Sequence, residues 1–139
     1  RFGDPETQPI MMRLNSDLVE LCLMACRGEL DKATIDFDSR SAVGVVLAAA
    51  GYPASYPKGD VISGLDNNTT DDRKIFHAGT AAKDGEIVTA GGRVLCATAL
   101  GDNVTQAQKA AYELLQQISW PGVEFRTDIA YRAIEREQT

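Results

Sequence analysis

Between Lys74 and Leu100, three strand-like runs follow one another with turns of only a few residues between them. Lys74 to Ala82 reads as the first run, Glu86 to Thr89 as the second and Arg93 to Leu100 as the third. Lys83-Asp84-Gly85-Glu86 has the Asp-Gly centre of a two-residue hairpin, and Gly91-Gly92 makes the next turn. Strands joined this closely pair antiparallel, because parallel neighbours need a crossover of about a dozen residues or more. A doubly wound parallel sheet is thereby excluded. The expected fold is α+β, an antiparallel sheet with helices packed on it.

The flanks supply the helices. Asn103 is a suitable N-cap and Gln106 completes a capping-box pattern. Val104, Ala107, Ala111, Leu114 and Ile118 then form an apolar stripe that runs to the stop at Pro121-Gly122. Upstream, Ser16 as N-cap, Asp17 and Glu20 near the positive helix start, and the stripe Leu14, Leu18, Leu21 and Ala25 predict a second helix ending at Gly28. Residues 41–50, β-branched and bounded by Gly51 and Pro53, read as a buried strand. Residues 1–9 read as a loop because Gly3, Pro5 and Pro9 are breakers. Residues 51–60 read as a long turn, Val61-Ile62 as a short strand and 66–73 as a solvated loop. The charge-rich stretch 29–40 marks a boundary between units, and 123–139 stays ambiguous.

A chain of 139 residues with 44% apolar side chains is one domain, or one domain plus a piece of another. Twenty acidic against 14 basic residues leave a net charge of −6, which argues against gripping nucleic acid or an anionic membrane. A small basic pocket for one phosphate remains compatible with that charge. The longest apolar stretch, Val43 to Tyr52, falls short of the ~20 residues that span a bilayer. Cys22, Cys26 and Cys96 are odd in number and read as reduced thiols of a cytoplasmic protein. With His77 the only histidine, no zinc spacing appears. The opening Arg1-Phe2-Gly3-Asp4-Pro5 has no initiating methionine and no targeting character, as expected of a piece of a longer protein.

Three segments could carry chemistry. Arg1, Asp4 and Glu6 around Gly3 and Pro5 can display opposite charges from a rigid turn; the plain alternative is a solvated loop. The loops Tyr52-Pro53 to Lys58-Gly59-Asp60 and Gly91-Gly92-Arg93 can bring backbone N–H groups and two cations to an anion, or be tight turns with exposed cations. His77 is a substrate contact or a structural histidine.

Arg1-Phe2-Gly3-Asp4-Pro5-Glu6-Thr7-Gln8 resembles the hallmark of the phosphoribosylamine–glycine ligase family, also called glycinamide ribonucleotide synthetases. The likeness continues through Ser16 to Leu21, Gly51-Tyr52-Pro53, Lys58-Gly59-Asp60, Phe76 to Thr80, Gly91 to Leu95, Asp128-Ile129 and Arg132-Ala133-Ile134.

The resemblance implies a part of a cytoplasmic ATP-grasp ligase of purine biosynthesis. The whole enzyme uses ATP with Mg or Mn to phosphorylate glycine, and the amine of phosphoribosylamine then displaces the phosphate. It implies the last third of that enzyme, with the ATP-grasp lobes and the metal-binding Glu and Asn upstream of Arg1. No metal site or cofactor is therefore expected within this chain, and the isolated fragment is expected to be inactive. Residues 1–38 are implied to be the tail of the ATP-grasp domain. Residues 39–139 are implied to be a C-terminal domain, a partly open antiparallel barrel of the rudimentary single-hybrid type with flanking helices. Substrate binding falls by resemblance to Arg1, Asp4 and Glu6 near glycine, and to Arg93 first and Lys58 second for the ribonucleotide phosphate. No catalytic residue is assigned. The partners are glycine, phosphoribosylamine, ATP and the upstream lobes, with no nucleic acid and no membrane. A non-catalytic ligand-binding or interaction module is the alternative.

Overall fold

The computed structural model describes residues 2–65 and 69–139. Arg1 and residues 66–68 of the expected solvated loop lie outside the described residues. The elements are α1 (Thr7–Arg13), α2 (Leu18–Arg27), a 3₁₀ turn (Leu30–Lys32), β1 (Ser41–Ala48), β2 (Arg73–His77), β3 (Thr80–Lys83), β4 (Glu86–Thr89), β5 (Arg93–Gly101), α3 (Val104–Leu115) and α4 (Tyr131–Glu137).

The architecture is α+β with antiparallel pairing throughout the named strands. The main sheet has the order β1-β5-β2, and β3 pairs with β4 in a separate hairpin. Asp84 and Gly85 have φ of 52° and 86°, so both centre positions of the hairpin take the left-handed conformation that matches the twist of its strands. Among the described residues the two sheets stay distinct. Single bridges at Val61–Val88, Ser63–Ser119 and Ala48–Glu124 stitch the intervening segments to their edges.

Strand β5 is buried along nearly its whole length because both of its faces are covered. On one face Val43, Val45 and Leu47 of β1 lie opposite Ala99, Ala97 and Leu95, and α3 closes over them with Ala107, Ala111, Leu114 and Leu115. Leu47, Leu95, Leu114 and Leu115 are at most 1% exposed, and burial of each contributes about 1.5–3 kcal/mol. On the other face α1 lies against β1 and β5. Gly44 permits that approach: a Cβ there would stand 3.1 Å from both Pro9 Cγ and Cys96 Sγ.

Several expectations change. Residues 7–13 are helix, not loop. Pro9 stands in the first turn, where its missing N–H would have had no helical partner in any case. Asp17 rather than Ser16 caps α2, its carboxylate accepting from Val19 N at 2.8 Å and Glu20 N at 3.2 Å, while Ser16 Oγ accepts from Asp36 N. The run 74–82 breaks at Ala78-Gly79 into β2 and β3. Helix α3 ends at Leu115, and Ile118 is buried beyond it in an irregular turn. The ambiguous tail 123–139 contains α4.

Candidate functional site

The site is built where β5 begins. Gly79 and Gly91 meet backbone to backbone: a Cβ on Gly79 would lie 2.6 Å from Gly91 Cα. Ala90 N and Gly91 N both donate to Gly79 O, at 2.7 and 3.0 Å, and Gly79 N donates to Arg93 O at 2.9 Å. The backbone of Arg93 is thus fixed by the end of the neighbouring strand. The loop 51–60 is tied down by Ala49 N to Gly92 O at 2.8 Å, Gly59 N to Thr89 O at 2.7 Å and Asp60 N to Thr89 Oγ1 at 3.1 Å.

From this frame the Arg93 side chain reaches across to the amino-terminal turn. Its Nη1 donates to the main-chain oxygen of Asp4 and lies 3.2 Å from Asp4 Oδ2. The guanidinium carbon stands 5.8 Å from the centre of the Tyr52 ring. Asp4, and next Tyr52, raise the Arg93 pKa above its ordinary value, so the guanidinium is held in its charged form. Tyr52 leans on Tyr56 with ring centres 6.1 Å apart, and Lys58 Nζ lies 5.7 Å above the Tyr56 ring. A second wall of Tyr52 opens on a groove of about 310 Å³, lined also by Val46, Ala48, Glu124, Phe125 and Arg126.

Of the residues expected at the site, Asp4 and Arg93 touch, and Lys58 stands one aromatic ring further along. Glu6 turns back on its own loop, its Cδ at 2.8 Å from where a Cβ on Gly3 would be. Arg1 is outside the described residues. His77 is not part of the patch's contacts: its Nδ1 lies 3.0 Å from Thr80 Oγ1 across the β2–β3 break. Cys22 and Cys26 are exposed on α2, and Cys96 is buried, which pushes its thiol pKa up.

Two members of the patch carried no role in the sequence reading. Tyr52 provides the aromatic face for Arg93. Gln8 provides a hydrogen bond from Nε2 to Asp4 Oδ1 at 3.0 Å. The signal for Gln8 was its spacing four residues after Asp4, hidden while the segment read as a loop. For Tyr52 there was no local signal, because the Gly92 it packs against is distant in the sequence.

Chemically, the patch presents one arginine and one lysine, each carried on an aromatic ring, beside one carboxylate. Asp4 engages Nη1 alone, and a guanidinium has five N–H donors in a fork that suits phosphate oxygens. The Asp4–Arg93 pair is 40% exposed on each side, so it orients more than it stabilises.

Fold and patch together define a class, a small antiparallel α+β domain with two cations carried on aromatic rings at one end of its central strand. The family model for the phosphoribosylglycinamide synthetase C domain matches residues 42–132, and the chain belongs to that family. It is 63% identical over 138 residues to a phosphoribosylamine–glycine ligase of Vibrio parahaemolyticus, covering 99% of this chain and 32% of the relative. The corresponding ligase of Escherichia coli O157:H7 is 60% identical over 139 residues, with the same coverage. The crystal structure of a phosphoribosylamine–glycine ligase from Thermotoga maritima superposes with a TM-score of 0.79 at 38% identity, covering 92% of this chain and 31% of that one. The chain therefore spans about a third of the length of these relatives.

Proposed function

We propose that this chain is the C-terminal portion of a phosphoribosylamine–glycine ligase, contributing the ribonucleotide side of the active site. The whole enzyme joins glycine to 5-phosphoribosylamine through a glycyl phosphate, converting ATP to ADP and phosphate on the route to purine nucleotides. The observation that carries the reading is identity of 60–63% along 99% of this chain to ligases of that name.

In this reading Arg93 receives the phosphate of phosphoribosylamine. Gly91 and Gly92 let Gly79 and the Tyr52 ring pack against the turn, Asp4 and Tyr52 hold the guanidinium, and its remaining N–H groups face the phosphate oxygens. Lys58 adds a second positive charge. Asp4, with Arg1 and Glu6, belongs to the glycine side, so the Asp4–Arg93 contact spans the two substrates' regions. ATP and its Mg or Mn ion are bound by the upstream lobes. The described residues hold no cluster of three His, Cys, Asp or Glu side chains that could take a metal, and no step through a metal is assigned to this chain.

The division into 1–38, the tail of the ATP-grasp domain, and 39–139, the C-terminal domain, is part of the proposal. It is supported by the exposure of Val19, Leu23, Leu30, Ile35 and Phe37 and by the absence of any buried residue in α2. A segment of this kind suits packing against further chain. The bridges at residues 61, 63, 88, 119 and 124 support assembly of the two sheets into a partly open barrel. No helix of the described residues is long and apolar enough to cross a membrane. A cytoplasmic setting suits the three free cysteines.

The test is steady-state kinetics of the full-length ligase carrying Arg93→Ala. A charge-assisted hydrogen bond contributes about 1.5–3 kcal/mol, so the KM for phosphoribosylamine should rise about 10- to 100-fold. The constants for ATP and glycine should change little. An unchanged phosphoribosylamine dependence in a folded variant removes Arg93 from the site.

A further inference from the structure

Gln8 sits in the first turn of α1, four residues after Asp4, so its side chain lies over the preceding turn. Its Nε2 donates to Asp4 Oδ1 at 3.0 Å. The other carboxylate oxygen, Oδ2, faces Arg93 Nη1 at 3.2 Å. Asp4 is thus gripped on both oxygens, by an amide on one side and a guanidinium on the other.

The amide makes this contact under a handicap. Gln8 Oε1 is buried and accepts no hydrogen bond among the described residues. A buried acceptor without a donor is costly, and native structures rarely keep one without a purpose. Rotating the amide by half a turn would not relieve it. The oxygen would then face the Asp4 carboxylate, oxygen against oxygen, and Oδ1 would lose its donor. The arrangement therefore favours the orientation of Asp4 over the satisfaction of Gln8 itself.

We propose that Gln8 is a positioning residue: through Asp4 it sets the Arg93 guanidinium on the Tyr52 ring and so presents its donors to the phosphate of the substrate. This rests on the reading of Arg93 as the phosphate-binding residue. With Oδ1 held by Gln8, the carboxylate offers Oδ2 to Nη1 and cannot swing to chelate both edges of the guanidinium. The rest of the fork is left for the ligand. Without Gln8, Asp4 is free to turn and take the Arg93 fork face on, which is the strongest geometry open to an arginine and a carboxylate. The substrate phosphate would then compete with Asp4 for the same donors.

The test uses the full-length ligase with Gln8→Met, Asp4→Asn, the double variant and Arg93→Ala. Methionine keeps the length and volume of glutamine and has neither the donor nor the orphaned acceptor. The expected result for Gln8→Met is a rise of about tenfold in KM for phosphoribosylamine, the scale of one hydrogen bond to a charged group. The ATP constant stays unchanged, because ATP is bound by the upstream lobes, and the melting temperature is equal or higher. In the Asp4→Asn background the Gln8 change should add nothing further, because its effect passes through the Asp4 carboxylate. An unaltered phosphoribosylamine KM in Gln8→Met, with Arg93→Ala still impaired, overturns this inference alone. So do fully additive effects in the double variant. An Arg93→Ala enzyme with normal phosphoribosylamine dependence overturns the underlying reading instead.

Discussion

Gly92 packs directly against the Tyr52 ring. A Cβ at position 92 would stand 2.6 Å from Tyr52 Cε2 and 3.0 Å from Tyr56 Cε1. The glycine before Arg93 is thus what lets the aromatic face slide under the guanidinium, since any side chain there occupies the ring's own volume. The hydrogen bond from Ala49 N to Gly92 O holds the two segments together at the same point.

Gly92→Ala is therefore expected to push Tyr52 aside rather than to unfold the chain. The colliding atoms belong to side chains that can rotate, and overpacking of this kind costs about 1–3 kcal/mol. The near-UV circular dichroism of the tyrosines should change, and the melting temperature should fall by several degrees. A variant with the parental near-UV spectrum and melting temperature would show that the ring and the turn do not depend on each other.

How far the sequence revealed this arrangement depends on the range of the interactions. The Asp84-Gly85 hairpin and the Asn103 cap of α3 were legible because each is decided by two to four adjacent residues. Helix α1 was hidden because Pro5 and Pro9 look like breakers, and only packing against β1 and β5, close at Gly44, makes a seven-residue helix worthwhile. Leu14 matched the stripe of the next helix, yet its backbone is extended and it bridges to Phe37. The break at Gly79 answers to Gly91, a partner in the turn between β4 and β5 that no local pattern announces. The union of Asp4 with Arg93 joins residues 89 positions apart. Spacing alone offered each as a separate weak signal, and only the family resemblance put them in one site.

A pH effect follows from the segment that enters β1. Arg40 Nη2 lies 2.7 Å from Asp38 Oδ2 and its Nη1 2.6 Å from Asp72 Oδ1, so one arginine ties residues 38 and 72 together. Hydrogen bonds from the Arg40 side chain and then from its backbone N–H hold the Asp38 pKa down, from 3.8 to about 2. A depressed carboxylate pKa contributes stability that is complete above the unfolded value near 4 and disappears as pH falls through about 2. Arg40→Gln should thus melt below the parent at pH 7, and the gap should shrink between pH 4 and pH 2. A gap that persists undiminished at pH 2 would show that the clasp acts through packing rather than charge.

The carboxyl-terminal helix depends on one carboxylate. Helix α4 has seven residues and none is buried, so it has little reason to be helical by itself. Glu137 reaches the start of α3, where Oε1 accepts from Val104 N at 2.7 Å and Oε2 from Thr105 N and Thr105 Oγ1, both at 3.3 Å. Asn103 already caps Gln106 N at 2.9 Å, so the two side chains between them satisfy three of the four N–H groups that a helix start leaves open. The negative charge also meets the positive end of the α3 dipole. At its other end the segment is fixed by Gln108 Nε2 donating to Ile129 O at 2.6 Å and by Tyr112 donating to Arg126 O at 2.6 Å. Removing the carboxylate should release α4 while residues 126–129 stay docked. Glu137→Ala is expected to lose about 0.5–2 kcal/mol, the usual scale of a lost cap. Hydrogen exchange at Val104 and Thr105 should quicken, and trypsin should cut more readily after Arg132 and Arg136. Glu137→Gln keeps one acceptor oxygen, for Val104 N, but puts an amide NH2 where Oε2 accepts from Thr105 and loses the charge, so its effect should fall between the parent and Glu137→Ala, with about 0.3–1 kcal/mol of it from the dipole interaction. Exchange and cleavage rates in Glu137→Ala equal to those of the parent chain would mean that α4 is held by its contacts with α3 alone.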